Sequence, residues 1–171
     1  MESLSALLTL PFMQAFVNDH GWIWPLCEIL HYIGLALIVG FIGTLDMRIL
    51  GLFKSIPIGA FRPFVPVAII AFAVNLITGT VFVTGTPVGA EFYVQNLSFQ
   101  LKVLALLIAG ANLLIFNLSG LEERVYAVPA GADAPSRARV VAWTSIVSWV
   151  AVIVFGRLLM YNDALLYFLG L

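Results

Sequence analysis

Four stretches of about twenty predominantly apolar residues limit this chain most severely, because ~20 residues of apolar helix match the ~30 Å hydrocarbon layer of a bilayer. The first runs from about Trp24 to Asp46, with Pro25 in its first turn and Arg48 and Gly51 at its end. The second spans about 64–84, after Pro63 and Pro66 and before the stop Gly85-Thr86-Pro87. A third covers about 99–117, and a fourth about 139–160, beyond Pro135-Ser136. At 62% hydrophobic and 10% charged residues, the chain has too few charges to coat a water-soluble globule, so lipid must be its solvent.

The expected fold is therefore all-α: one integral membrane four-helix bundle over residues 1–171, with a short interfacial helix at each end. At the start, Leu4, Leu7, Leu8, Phe12, Ala15 and Phe16 share one stripe, predicting an amphipathic helix over about 2–18. At the other end, Asn162-Asp163 is placed to cap a helix over about 163–171. The start lacks the basic residues of a secretory signal, so Met1 onward is expected to remain in the protein.

Basic residues set the expected orientation. Arg48, Lys54 and Arg62 flank the first connection and Arg124, Arg137 and Arg139 the third, whereas the other side has no Lys or Arg in its loops. The positive-inside rule puts those two connections in the cytoplasm of a bacterial inner membrane, with both termini periplasmic. Trp22, Trp24, Tyr93 and Tyr161 would form the outer aromatic belt. The third connection, from Leu118 to Arg139, reads as a mobile loop with little to bury.

Several classes are excluded. A net charge of -1 with scattered cations gives no basic stripe for nucleic acid, and the single Cys27 allows no internal disulfide. No Gly-x-Ser-x-Gly, phosphate loop or His-Glu-x-x-His is present, so nothing marks an enzyme acting on its own.

Ionisable residues within lipid are costly, which makes each one inside a span a candidate site. Glu28 and His31 lie roughly 6 to 11 Å below the outer interface on span one, at ~1.5 Å rise per residue. Lys102 on span three and Arg157 near the end of span four reach the same level. The plain reading is a structural polar cluster of Glu28, Lys102, Asn75 and Asn112, with Glu28 paired to Lys102 or Arg157. Small residues around them, Ala68, Ala71 and Gly79 on span two and Ala105 and Ala109 on span three, are equally what ordinary helix packing requires. At the opposite end, Asp46, Arg48 and Arg62 are expected to close the first connection with an ion pair.

The sharper reading is a cofactor site. His31 followed by Gly34 suits a helix on which an imidazole ligates haem iron and glycine admits the porphyrin. A second axial ligand would come from His20, Met160 or Met13, or from His31 of a second copy, and Lys102 and Arg157 would pair with haem carboxylates. Copper, with Cys27, His31, Met13 and Met160 as soft or borderline ligands near the same side, is the alternative metal. On this reading the chain is an electron-transfer protein binding haem b, exchanging electrons with quinone or a periplasmic carrier. On the plain reading it is a non-catalytic subunit of a larger membrane complex, or a homo-oligomer.

The stretches Trp24-x-x-x-Glu28-x-x-His31-x-x-Gly34, Asp46-x-Arg48-x-x-Gly51 and Phe99-Gln100-x-Lys102 with Asn112 resemble a widespread group of small, functionally uncharacterised bacterial membrane proteins. The resemblance covers about residues 22–117 and implies a four-helix fold. A looser likeness to four-helix b-type cytochromes and copper-resistance membrane domains rests on His31 and the bundle. Such cytochromes carry several intramembrane histidines, where this chain carries one.

Overall fold

In the computed structural model, residues 8–170 are described, and their regular structure is helical, with no strand among them. In chain order the helices are α1 (Pro11–Asp19), α2 (Ile23–Ile49), α3 (Val65–Gly85), α4 (Glu91–Val94), α5 (Leu97–Leu118), α6 (Leu121–Tyr126), α7 (Ser136–Leu158) and α8 (Asn162–Leu169). Short 3-10 turns, Ile58–Phe64 and Leu159–Tyr161, lead into α3 and α8. Four of these helical stretches are long and apolar enough to cross a membrane, beginning with α2, α3, α5 and α7. The protein is a multi-pass membrane helical bundle. Residues 2–7 of the expected first helix, and Leu171 of the last, lie outside the described residues.

Helix α2 packs along α3 and α5 along α7, while a contact between α2 and α7 joins the two pairs. The termini share one end of the bundle with α4, and the two long connections share the other. Large apolar side chains such as Ile70, Leu107 and Val147 point outward, as they must where lipid is the solvent. With no hydrophobic drive between helices in lipid, association depends on close packing and interhelical hydrogen bonds. Both devices meet at Gly34: a Cβ there would collide with the Asn75 side chain and lie 3.0 Å from the Ala71 carbonyl oxygen.

Helix ends are set by local chemistry. Asn96 starts α5 by accepting a hydrogen bond from the Phe99 amide at 3.2 Å, and its own amide donates to the Leu159 carbonyl at 2.9 Å. Gly51, at φ 103°, ends α2 in a Schellman arrangement: its amide donates to the Arg48 carbonyl, and the Leu52 amide to the Met47 carbonyl. Asn162 does not cap its own helix; its side-chain oxygen accepts from the Ser98 amide at 3.3 Å, tying α8 to α5.

The third connection corrects its expectation. Rather than a mobile loop with little to bury, it folds as α6 and buries Leu121, Val125, Val128 and Ala134 against Leu45, Ile49 and Ile58. Val125 is 0% exposed, which a floppy Pro-Ala-Gly composition does not suggest. At the termini end, α1 lies on α3: Gln14 donates to the Thr86 carbonyl at 2.9 Å and Val17 presses on Gly85.

Candidate functional site

Span two, α3, presents a polar face to His31 of α2. The Thr78 hydroxyl donates to the Val74 carbonyl at 2.9 Å, so its oxygen accepts from His31, whose Nδ1 lies 2.8 Å away. That assignment makes Nδ1 the protonated nitrogen and leaves Nε2 with its lone pair. With its nitrogen turned toward α2, the Asn75 amide donates to the His31 carbonyl at 2.9 Å and accepts from the Leu35 amide at 3.2 Å. The imidazole tilts against the Phe82 ring at 5.4 Å between centroids, and a Cβ on Gly79 would sit 3.7 Å from its Cε1.

Lys102 approaches from α5. It shares a face with the buried Ala105 and Phe116, so the residue faces the bundle rather than lipid. The outer half of its side chain runs along the bare backbone of Gly156 on α7, with Nζ 3.5 Å from where a Cβ would be. Further along the same face, Asn112 donates to the Val141 carbonyl at 3.0 Å and joins α5 to α7.

The other sequence candidates lie elsewhere. Glu28 is exposed and accepts from the Trp24 indole at 3.1 Å, so it pairs with neither Lys102 nor Arg157. Arg157 is exposed and lies over the Tyr161 ring at 5.4 Å. His20 is exposed beyond α1, with Nδ1 3.0 Å from the Phe16 carbonyl oxygen and its ring contacts on Phe16 and Trp22. Met160 is 71% exposed, and Cys27 is buried with Val17 and Ile23. Among the described residues, no three His, Cys, Asp or Glu side chains gather as a metal site. An open groove of about 350 Å³ between α5 and α7, lined by Ala105, Ile108, Trp143, Val147, Ser148 and Ala151, does not include His31.

The opposite end holds a polar centre that sequence reasoning took for a simple ion pair. Arg48 is 0% exposed, and it donates through Nε to the Ile56 carbonyl at 2.6 Å and through Nη2 to the Pro129 and Ala132 carbonyls at 3.3 Å each. One guanidinium thus fastens both long connections to the end of α2. Arg62 instead lies over the Tyr126 ring at 5.6 Å. Asp46 is also buried, with Oδ2 unpartnered, as is Nη1 of Arg48. Beside the latch, Lys54 pairs with Asp133 at 2.6 Å, and the Gly131 amide donates to the Lys54 carbonyl at 2.7 Å. Lys54 holds the Asp133 carboxyl below its ordinary value, and burial pushes the Tyr126 phenol up.

Fold and site together define a class: an all-α, multi-pass membrane protein whose polar side chains join spans to one another. No family model, curated protein or solved structure matches the chain.

Proposed function

We propose that the protein is a non-catalytic structural subunit of a bacterial inner-membrane assembly, with both termini on the periplasmic side. The observation that carries this reading is where the interior polar groups go. His31 and Asn75 join α2 to α3, Asn112, Asn96 and Ser98 join α5 to the last span, and Arg48 joins two loops to α2. Groups used in this way hold a scaffold in register, and among the described residues nothing beside them resembles a nucleophile with its base. The orientation is supported by Lys54, Arg62, Arg124, Arg137 and Arg139, all exposed at the end away from the termini.

A second reading, a b-type haem carried for electron transfer with quinone or a periplasmic carrier, is supported by the free Nε2 edge of His31. An Nδ1 proton held by a neighbouring oxygen is the usual way a protein aims the other nitrogen of a histidine at a metal. Lys102 would meet a haem carboxylate, and the iron would supply one-electron chemistry. Of the candidate second axial ligands, His20 is engaged at Phe16 and Met160 is exposed beyond α7, which leaves Met13 or His31 of a second copy.

Gently solubilised protein separates the two. The scaffold reading expects a colourless protein whose mass in mild detergent exceeds one chain plus micelle. A solitary protein would count against it, and reduced-minus-oxidised b-type bands lost in His31→Ala would establish the second reading in its place.

A further inference from the structure

We infer that the groove between α5 and α7 binds an uncharged, apolar-tailed molecule with a carbonyl-bearing ring, the chemistry of a prenylated quinone. The groove holds about 350 Å³, inside the ~300–1,000 Å³ range of small-molecule sites, and its lining includes no charged side chain. A helix of another chain would cover it rather than fill it, since one turn, about 10–12 Å across and about 5.4 Å tall, takes up roughly 400 Å³ or more. Along α7, at ~1.5 Å per residue, Trp143 lies about 10 Å and Ser148 about 18 Å in from Ser136. The groove therefore opens at the depth of lipid tails, out of reach of headgroups.

Two polar groups of the groove have no partner. Ser148 lines its floor, only 5% exposed, and no hydrogen bond ties its hydroxyl to any described residue. Thr144 on the same wall differs, its hydroxyl being spent on the Val140 carbonyl at 3.0 Å. At the rim, Trp143 is 60% exposed. Among the described residues its indole N–H meets no acceptor and no other ring lies against it, whereas Trp149 has Phe72. Tryptophan in a membrane protein favours the interface, where water or a headgroup takes its N–H; hydrocarbon offers no acceptor to an indole or a serine hydroxyl. An acyl chain would fill the space and leave both groups unpaired. A neutral ring with carbonyl oxygens would accept from both and present a face to the indole. The small Ala105 and Ala151 leave room for the ring, and its tail would pass through the open side into lipid.

The test is titration of the full-length protein in detergent with decylubiquinone, read by tryptophan quenching and by the thermal midpoint, with decane as the tail alone and decanoate as a charged head. Decylubiquinone should quench saturably and raise the midpoint, and the other two should do neither. The saturable quenching should be lost in Trp143→Phe. Binding should weaken about fivefold in Ser148→Ala, the worth of one hydrogen bond, and disappear in Ala151→Phe, which fills the groove. Quenching that rises linearly, as for partition into the micelle, overturns the site, and so does an equal midpoint shift with decane or decanoate. Both are read on wild type alone, whatever the variants do. Unchanged affinity in Ser148→Ala or Ala151→Phe overturns it too. The groove does not include His31 or the interhelical bonds of the scaffold reading, so its failure leaves both readings of function standing.

Discussion

The Nδ1 proton of His31 is held by the Thr78 hydroxyl oxygen across 2.8 Å, and that hydroxyl is itself tied to the Val74 carbonyl. The bond joins spans one and two one turn from where Asn75 grips the His31 and Leu35 backbone over the bare Gly34. Thr78→Val keeps the shape and removes the acceptor. Interhelical hydrogen bonds in membranes average about 0.6 kcal/mol and reach about 1.7. The expected loss of stability is of that order. In a double-mutant cycle with His31→Ala the two losses should be non-additive by a similar amount, and strictly additive losses would show that the bond is absent.

Arg48 carries a heavier consequence. It is fully buried and supplies the donors for the Ile56, Pro129 and Ala132 carbonyls. Arg48→Met removes the donor from three partly buried carbonyls, at about 1 kcal/mol or more each, so a total loss of about 3 kcal/mol is expected. Lysine offers one point of donation in place of a planar fork, so Arg48→Lys should recover only part. Limited proteolysis between residues 127 and 135 is the direct readout, and protection unchanged in Arg48→Met would remove the latch.

Placement also reverses the ranking that sequence position gives to Glu28 and Asn96. Glu28 sits inside the first apolar stretch yet is exposed, with one bond to its own helix at Trp24. Glu28→Ala should change stability by no more than about 0.5 kcal/mol, as for an ordinary surface site. Asn96 lies in a loop by sequence, but it caps α5 and holds the Leu159 carbonyl. Asn96→Ala should cost at least about 1 kcal/mol, the usual value of a lost N-cap. Melting temperatures in one detergent suffice, and a larger loss in Glu28→Ala than in Asn96→Ala would contradict both placements.

Hydropathy made the four spans legible because lipid admits only closed backbone hydrogen bonding, and the ends of α2, α3, α5 and α7 fall close to the proline, glycine and asparagine signals. The polar partners were not legible. Which of Glu28, His31 or Cys27 faces the bundle depends on helix rotation, and the first span is apolar nearly all round, so no stripe marks its inner face. Residue spacing put Glu28 beside His31, whereas packing put Thr78 and Asn75 there. The folded third connection was hidden for another reason. Its buried Leu121, Val125 and Val128 are spread among charges, prolines and glycines, and the guanidinium that orders it lies about eighty residues away in sequence.

The Lys54–Asp133 pair, which fastens the third connection to the first, sets an acid limit on that contact. Lys54 holds the Asp133 carboxyl below its ordinary value, so the folded state favours the ionised form. A depressed folded value contributes stability that is present above the unfolded carboxylate range, near pH ~3.9, and is lost as pH falls through the lower folded value. The contact should therefore be indifferent to pH from neutrality down to about pH 4 and loosen only below it. Because both side chains are exposed, salt should weaken it as well. Carboxyl-carbon NMR of Asp133 should show a midpoint below that of a free aspartate in wild type, moving up in Lys54→Met. A midpoint unmoved by that substitution would mean the pair does not form in solution, leaving Arg48, the Gly131–Lys54 backbone bond and the apolar packing to hold the connection.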